Sequence, residues 1–127
     1  DPLWSRGLGD VYKRQAVLTA MIGAAKADGH IGPEERALLE TEMGKLSSDA
    51  QDRRWLEAEL ARPLDPAAIA QSAKTPEMAA EMYLASLLVV DEESYMERAY
   101  LDELARRLQL QPGLKEQLEQ HARAAVA

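Results

Sequence analysis

Ala27-Asp28-Gly29-His30-Ile31-Gly32-Pro33-Glu34-Glu35-Arg36 is the stretch on which the fold turns. A helically spaced apolar pattern precedes it, and two glycines interrupt that pattern. Pro33 then opens a new helix with two carboxylates in its first turn, where the helix dipole favours negative charge. A partner stretch follows at Asp91-Glu92-Glu93-Ser94-Tyr95-Met96-Glu97-Arg98. Asp28 and Asp91, Glu34 and Glu97, and Leu38 and Leu101 are each 63 positions apart. An Asp ending one helix, a short loop and a Glu beginning the next therefore occur twice. The pattern predicts an all-α, single-domain bundle of about seven short helices with a pseudo-two-fold internal repeat.

The flanking segments agree with that. Val17, Leu18, Met21, Ile22 and Ala25 carry a first helix to about Ala27, and Leu38, Leu39, Met43 and Leu46 mark the inner face of the second. Ser48 with Gln51 fits a capping box, which opens a third helix through Trp55, Leu56 and Leu60 to Arg62. Asp65-Pro66 and Thr75-Pro76 each pair a capping side chain with a proline at the first helical position. The helix after Thr75 is the most apolar segment and is expected to be central, with Met78, Met82, Tyr83, Leu84, Leu87 and Leu88 inward. Ser94 with Glu97 fits a second capping box, and Leu101, Leu104 and Leu108 form the cleanest amphipathic stripe. Gln111-Pro112-Gly113 separates it from a last helix carrying Leu114, Leu118 and Ala122. The five methionines are expected to be core.

Bulk composition narrows the function classes. The chain has 127 residues, 46% of them hydrophobic, which suits one globular domain. A net charge of −7 argues against nucleic acid or an anionic membrane surface as a direct partner, and favours cations or basic protein segments. Without cysteine there is no disulfide framework, thiolate nucleophile or sulfur ligand. No apolar run reaches the roughly 18 residues of a membrane span. Asp10-Val11-Tyr12-Lys13-Arg14-Gln15 resembles the translation of a transposase sequencing adapter. Residues 1–15 are accordingly read as a non-native leader, disordered or extending the first helix, and residues 16–127 as the domain. The native gene is expected to continue upstream.

Two readings of the acidic corners stay open. Asp28, Glu34, Glu35, Asp91, Glu93 and Glu97 lie at helix ends, and a pseudo-two-fold would bring the two sets together. Hard oxygen ligands suit calcium, magnesium or manganese. The plainer alternative is helix capping, which uses the same residue types at the same places. The Asp28 loop lacks the repeated ligands of an EF-hand, and His30 is read as a solvent-facing loop residue. No nucleophile elbow or phosphate-binding glycine loop is present, so no enzyme is expected.

Ala24-Ala25-Lys26-Ala27-Asp28-Gly29-His30-Ile31, Leu64-Asp65-Pro66, Ala79 to Ser86 and Glu97 to Ala105 together resemble the YebE-like domain of unknown function. That domain belongs to the TerB-like group, named for a tellurite-resistance protein, and the likeness covers roughly residues 16–127. It implies an all-α bundle with internal pseudo-symmetry and acidic corners implicated in divalent metal binding. By resemblance Asp28 with Glu34 or Glu35 matches the first corner, and Asp91 with Glu97 the second. The group often has Asp where this chain has Glu93, and Pro near Tyr95, so the second corner departs from its pattern. Members typically carry a glycine-rich apolar segment upstream, which implies a cytoplasmic domain held at the inner membrane in the full-length protein. Tellurite resistance is not carried over. A divalent cation is the one cofactor expected, and an unidentified protein the expected partner.

Overall fold

The computed structural model describes residues 3–27, 31–44, 50–90 and 95–126, apart from the side chains of 3–11, 35, 42–44, 50–52 and 125–126. Every regular element among them is helical: α1 (Leu3–Ala25), α2 (Pro33–Gly44), α3 (Ala50–Ala61), α4 (Pro66–Gln71), α5 (Pro76–Val89), α6 (Tyr95–Arg107) and α7 (Pro112–Val126). The sequence reading is met in number and order. α1 begins at Leu3 and passes residue 15 without a break. Within that first part, the Tyr12 hydroxyl donates to the Ser72 carbonyl at 3.1 Å and Lys13 pairs with Glu81 at 2.8 Å.

Local chemistry fixes the helix starts. The Asp65 carboxylate accepts the backbone N–H groups of Ala67 (3.1 Å) and Ala68 (3.3 Å), and Thr75 Oγ1 accepts that of Met78 (3.1 Å). Pro66 and Pro76 follow these caps at the first helical position, where the missing N–H costs nothing. α6 ends in a Schellman turn. The N–H of Leu110 reaches the Ala105 carbonyl and that of Gln109 reaches Arg106, both at 3.1 Å, with Gln109 left-handed at φ 60°.

α1 and α5 form the centre, with the most extensive pairing in the structure. α1 also packs on α2 and α3, as α5 does on α6 and α7, so the internal echo has a counterpart in the packing. The buried face of α1 is mostly small: Ala16, Ala20, Ala24 and Ala25 beside Leu18, Met21 and Ile22. α5 buries Met78, Ala79, Met82, Tyr83, Ser86 and Val89. Ser86 is satisfied inside its own helix by donating to the Met82 carbonyl at 2.8 Å.

Several inward assignments change. Leu84 and Leu87 are half-buried and Leu88 is exposed, because the buried positions of α5 are Met78, Ala79, Met82, Tyr83, Ser86 and Val89 instead. In α2 Leu39 is fully buried while Leu38 is 37% exposed. Met21, Met78 and Met82 are core, whereas Met96 is exposed at the start of α6. Met43, Leu46 and the Ser48 cap lie outside the described residues or side chains.

Gly23 is required by contact. A Cβ there would overlap the Tyr100 hydroxyl and come within 2.7 Å of Ile69 Cδ1. Gly23→Ala is therefore expected to lower stability by about 1–3 kcal/mol in chemical denaturation, despite the better helix propensity of alanine. At the α6 turn the reverse holds. Gln109→Gly relieves a left-handed side-chain residue and should raise stability by about 0.5–1 kcal/mol in the same measurement.

Candidate functional site

The first corner is built by the end of α1 and the start of α2. α1 closes with Lys26 N–H on the Ile22 carbonyl (3.0 Å) and Ala27 N–H on Ala24 (3.3 Å), and Arg36 N–H on the Gly32 carbonyl (3.0 Å) begins the α2 ladder. Glu34 is exposed in the first turn of α2. One turn later, Arg36 pairs with Glu40 at 3.2 Å and with Glu57 of α3 at 2.5 Å. Hydrogen bonding to Glu57 is the largest cause of the upward shift of the Arg36 pKa. Asp28 and His30 lie outside the described residues, as does the Glu35 side chain.

The second corner joins α5 to α6. Asp91, Glu93 and the Ser94 cap lie outside the described residues. Glu97 is described, and only 3% of its surface is exposed. The cause is its place on the helix. Glu97, Tyr100, Leu101, Leu104, Ala105 and Leu108 recur at the helical period and make one buried stripe, so the carboxylate continues an apolar face. Glu97 also engages other groups of the chain.

The two corners are thus not equivalent in the register that the residue matches suggest. The buried leucines of α2 and α6, Leu39 and Leu101, lie 62 positions apart, not 63. On this register Glu35, four positions before Leu39, corresponds to Glu97, four before Leu101. Glu34 then corresponds to the exposed Met96. Of the six acidic residues singled out by sequence, the structure describes the side chains of Glu34 and Glu97, one at the surface and one in the core. Among the described residues no three His, Asp or Glu side chains converge as a metal-holding group.

Three further features escaped the sequence reading. Lys26 Nζ donates to the carbonyls of Glu59 (2.8 Å) and Arg62 (2.5 Å), tying α1 to the end of α3. Burial pushes its pKa down, opposed by Glu59 and aided by Arg62. The partners are 33 and 36 positions away, so no local pattern could have found them. Lys26, Gly23, Trp55 and Ile69 help line a cavity of about 220 Å³ between α1, α3 and α4. Next to Gly23 and Ile69, the Tyr100 hydroxyl is buried and has no hydrogen-bond partner. A third feature links α5, α6 and α7. Tyr83 donates to Glu119 at 3.4 Å, and Lys115 bridges Glu119 (3.0 Å) and Asp102 (3.2 Å).

Burial holds the phenols of Tyr100 and Tyr83 well above their ordinary value of 10.0, with Glu119 and Asp102 adding to the shift at Tyr83. The unfolded chain therefore loses these protons first, so the native state binds more protons above pH 10 and stability falls as pH rises further. Below pH 10 neither group contributes. Alkaline titration of the folding equilibrium should show this loss, and Tyr100→Phe should reduce it by one phenol. At neutral pH that variant should be no less stable than the parent, since the hydroxyl removed makes no hydrogen bond.

A profile of the family described as "Protein of unknown function (DUF533)" matches residues 10–122. A Yersinia enterocolitica protein described as "Uncharacterized protein in ampR 5'region" is 31% identical over 124 residues, covering 97% of this chain and 89% of that relative. No solved structure matches. No helix among the described residues is long and apolar enough to cross a membrane.

Proposed function

This chain belongs to the DUF533 family, and on that premise we propose that it is a non-enzymatic TerB-like helical domain whose acidic corners hold a divalent cation. The observation that carries the proposal is the burial of Glu97 in the first turn of α6. A carboxylate removed from water needs polar partners, and Glu97, which already engages other groups of the chain, is held there as a buried oxygen ligand that a cation would share. Asp91 and Glu93 stand just ahead of it in sequence, and Asp28 with Glu34 and Glu35 supplies the matching set at the first corner. A hard cation such as calcium, magnesium or manganese suits all-oxygen ligands and would relieve the mutual repulsion of the set. The domain would work in the cytoplasm beside the inner membrane, within a stress-related assembly.

A second reading is favoured by a different observation at the same corner. Tyr95 is 85% exposed, and Met96 and Leu88 are exposed beside it in sequence. Apolar side chains flanking an acidic loop suit a protein partner that presents a basic, partly apolar segment. On that reading Glu97 and its neighbours are helix caps and no metal is needed.

Thermal melts of the metal-free protein against calcium, magnesium and manganese separate the two. A cation that binds only the folded state at a hundredfold excess over its Kd stabilises by about 2.7 kcal/mol. The gain should vanish in Asp28→Asn/Asp91→Asn and in Glu97→Gln. A flat response to all three cations, or an equal response in the variants, would sink the metal reading and leave the interaction module.

A further inference from the structure

The α4–α5 and α6–α7 turns meet at the far end of α5 and α6 from the Asp91 corner. α5 has 14 residues, so this end is about 20 Å from the corner. Between the turns lies an open groove of about 550 Å³, within the range of roughly 300–1,000 Å³ common for small-molecule sites. Its walls are apolar below and polar at the rim. Ala70, Ala79 and Leu108 are buried in its floor, and Leu110 and Leu114 are half-buried. Lys74, Thr75, Arg107, Gln109 and Gln111 also line it.

The charge pattern sets the sign of the occupant. No acidic side chain lines the groove, although the chain carries 22 Asp and Glu in 127 residues. Among the described residues Lys74 makes no ion pair, and its Nζ lies 6.0 Å from the Tyr12 ring. Arg107 gives its Nε to Glu103 Oε2 at 2.7 Å, which leaves both terminal nitrogens for another acceptor. Glu103 is itself shared with Arg106, so the carboxylate is more than neutralised. Burial of apolar surface and capture of a negative group are therefore available in one place.

We propose that this groove binds a single acyl chain with an anionic head group. The alkyl chain lies on the alanine and leucine floor, and a carboxylate or phosphate is held by Lys74 and Arg107. An extended peptide fits less well. The groove offers no strand edge, and the N–H groups of Ala73, Leu108, Gln109 and Leu110 in its turns are already given within the chain, so a buried peptide would find few partners for its own backbone groups. An alkyl chain has none to satisfy. The site is at the opposite end of α5 and α6 from the second corner, and its test does not depend on whether a cation binds at the acidic corners.

Calorimetry of the full chain with decanoate, decyl phosphate and decanol, each below its micelle concentration, tests the proposal. Saturable one-to-one binding of an anion is expected, tightening by about fourfold for each methylene added to the chain. Whichever of carboxylate and phosphate binds more tightly identifies the head group. Decanol should bind at least about tenfold more weakly, and Lys74→Glu should weaken decanoate by a similar factor. Ala73→Trp, which fills the groove wall, should abolish binding, with circular dichroism confirming that both variants remain folded. The proposal is overturned if neither anion saturates, if decanol binds as well as decanoate, or if a folded Ala73→Trp binds as the parent does. Displacement of decanoate by an acidic helical peptide that binds more tightly would reassign the groove to a protein partner.

Discussion

Close packing of α5 on α1 is the constraint on which the rest of the bundle depends. Ala16, Ala20 and Ala24 on the buried face of α1 carry no side chain beyond Cβ, which lets neighbouring backbones come near. Gly23 takes this furthest, by yielding the space of a methyl group to the Tyr100 hydroxyl and Ile69. α2, α3 and α4 then rest on α1, and α6 and α7 on α5. A larger residue on the α1 face would displace several of these contacts together, because close-packed interiors have little room to absorb added volume.

The corners follow from that pairing. α1 and α2 meet on one side, α5 and α6 on the other, with chain ends and helix dipoles that favour carboxylates in each first turn. The two sides are nevertheless built differently. α6 sends a carboxylate along its buried stripe, while α2 leaves Glu34 in solvent and uses Arg36 to reach Glu40 and Glu57. The cation nearest the first corner, Lys26, is committed to the carbonyls at the end of α3. Charge on this side therefore ties helices together, while Glu97 is buried along the apolar stripe of α6.

The bundle is also polar from end to end. The α5–α6 corner carries Asp91, Glu92 and Glu93 in sequence, with exposed Tyr95 and Met96 behind them. The opposite end of the same helices presents Lys74, Arg106 and Arg107 around apolar walls, with Glu103 bound between two arginines. An acidic chain of net charge −7 thus keeps one groove free of carboxylates. Field and apolar surface coincide there, a combination that selects ligands by both charge and chain.

The sequence by itself determined the number and order of the helices, the starts of α4 and α5 and the α6 stripe. Asp65 with Pro66 and Thr75 with Pro76 act within a single turn, and Leu101, Leu104 and Leu108 are separated clearly from charged neighbours. Of the acidic set, it also located Glu97 but gave no sign of its burial. Tertiary structure decided which face of α5 turns inward, that Leu39 and not Leu38 is core, and that the helix register is 62 rather than 63. It alone brought Lys26 to α3 and Tyr100 to Gly23, and set Lys74 and Arg107 along one groove. The physical reason is one of range. Caps and amphipathic stripes are satisfied by residues within a turn or two, so contiguous sequence encodes them. A helix apolar on most sides has no preferred azimuth of its own, and only the neighbours it packs against can choose one.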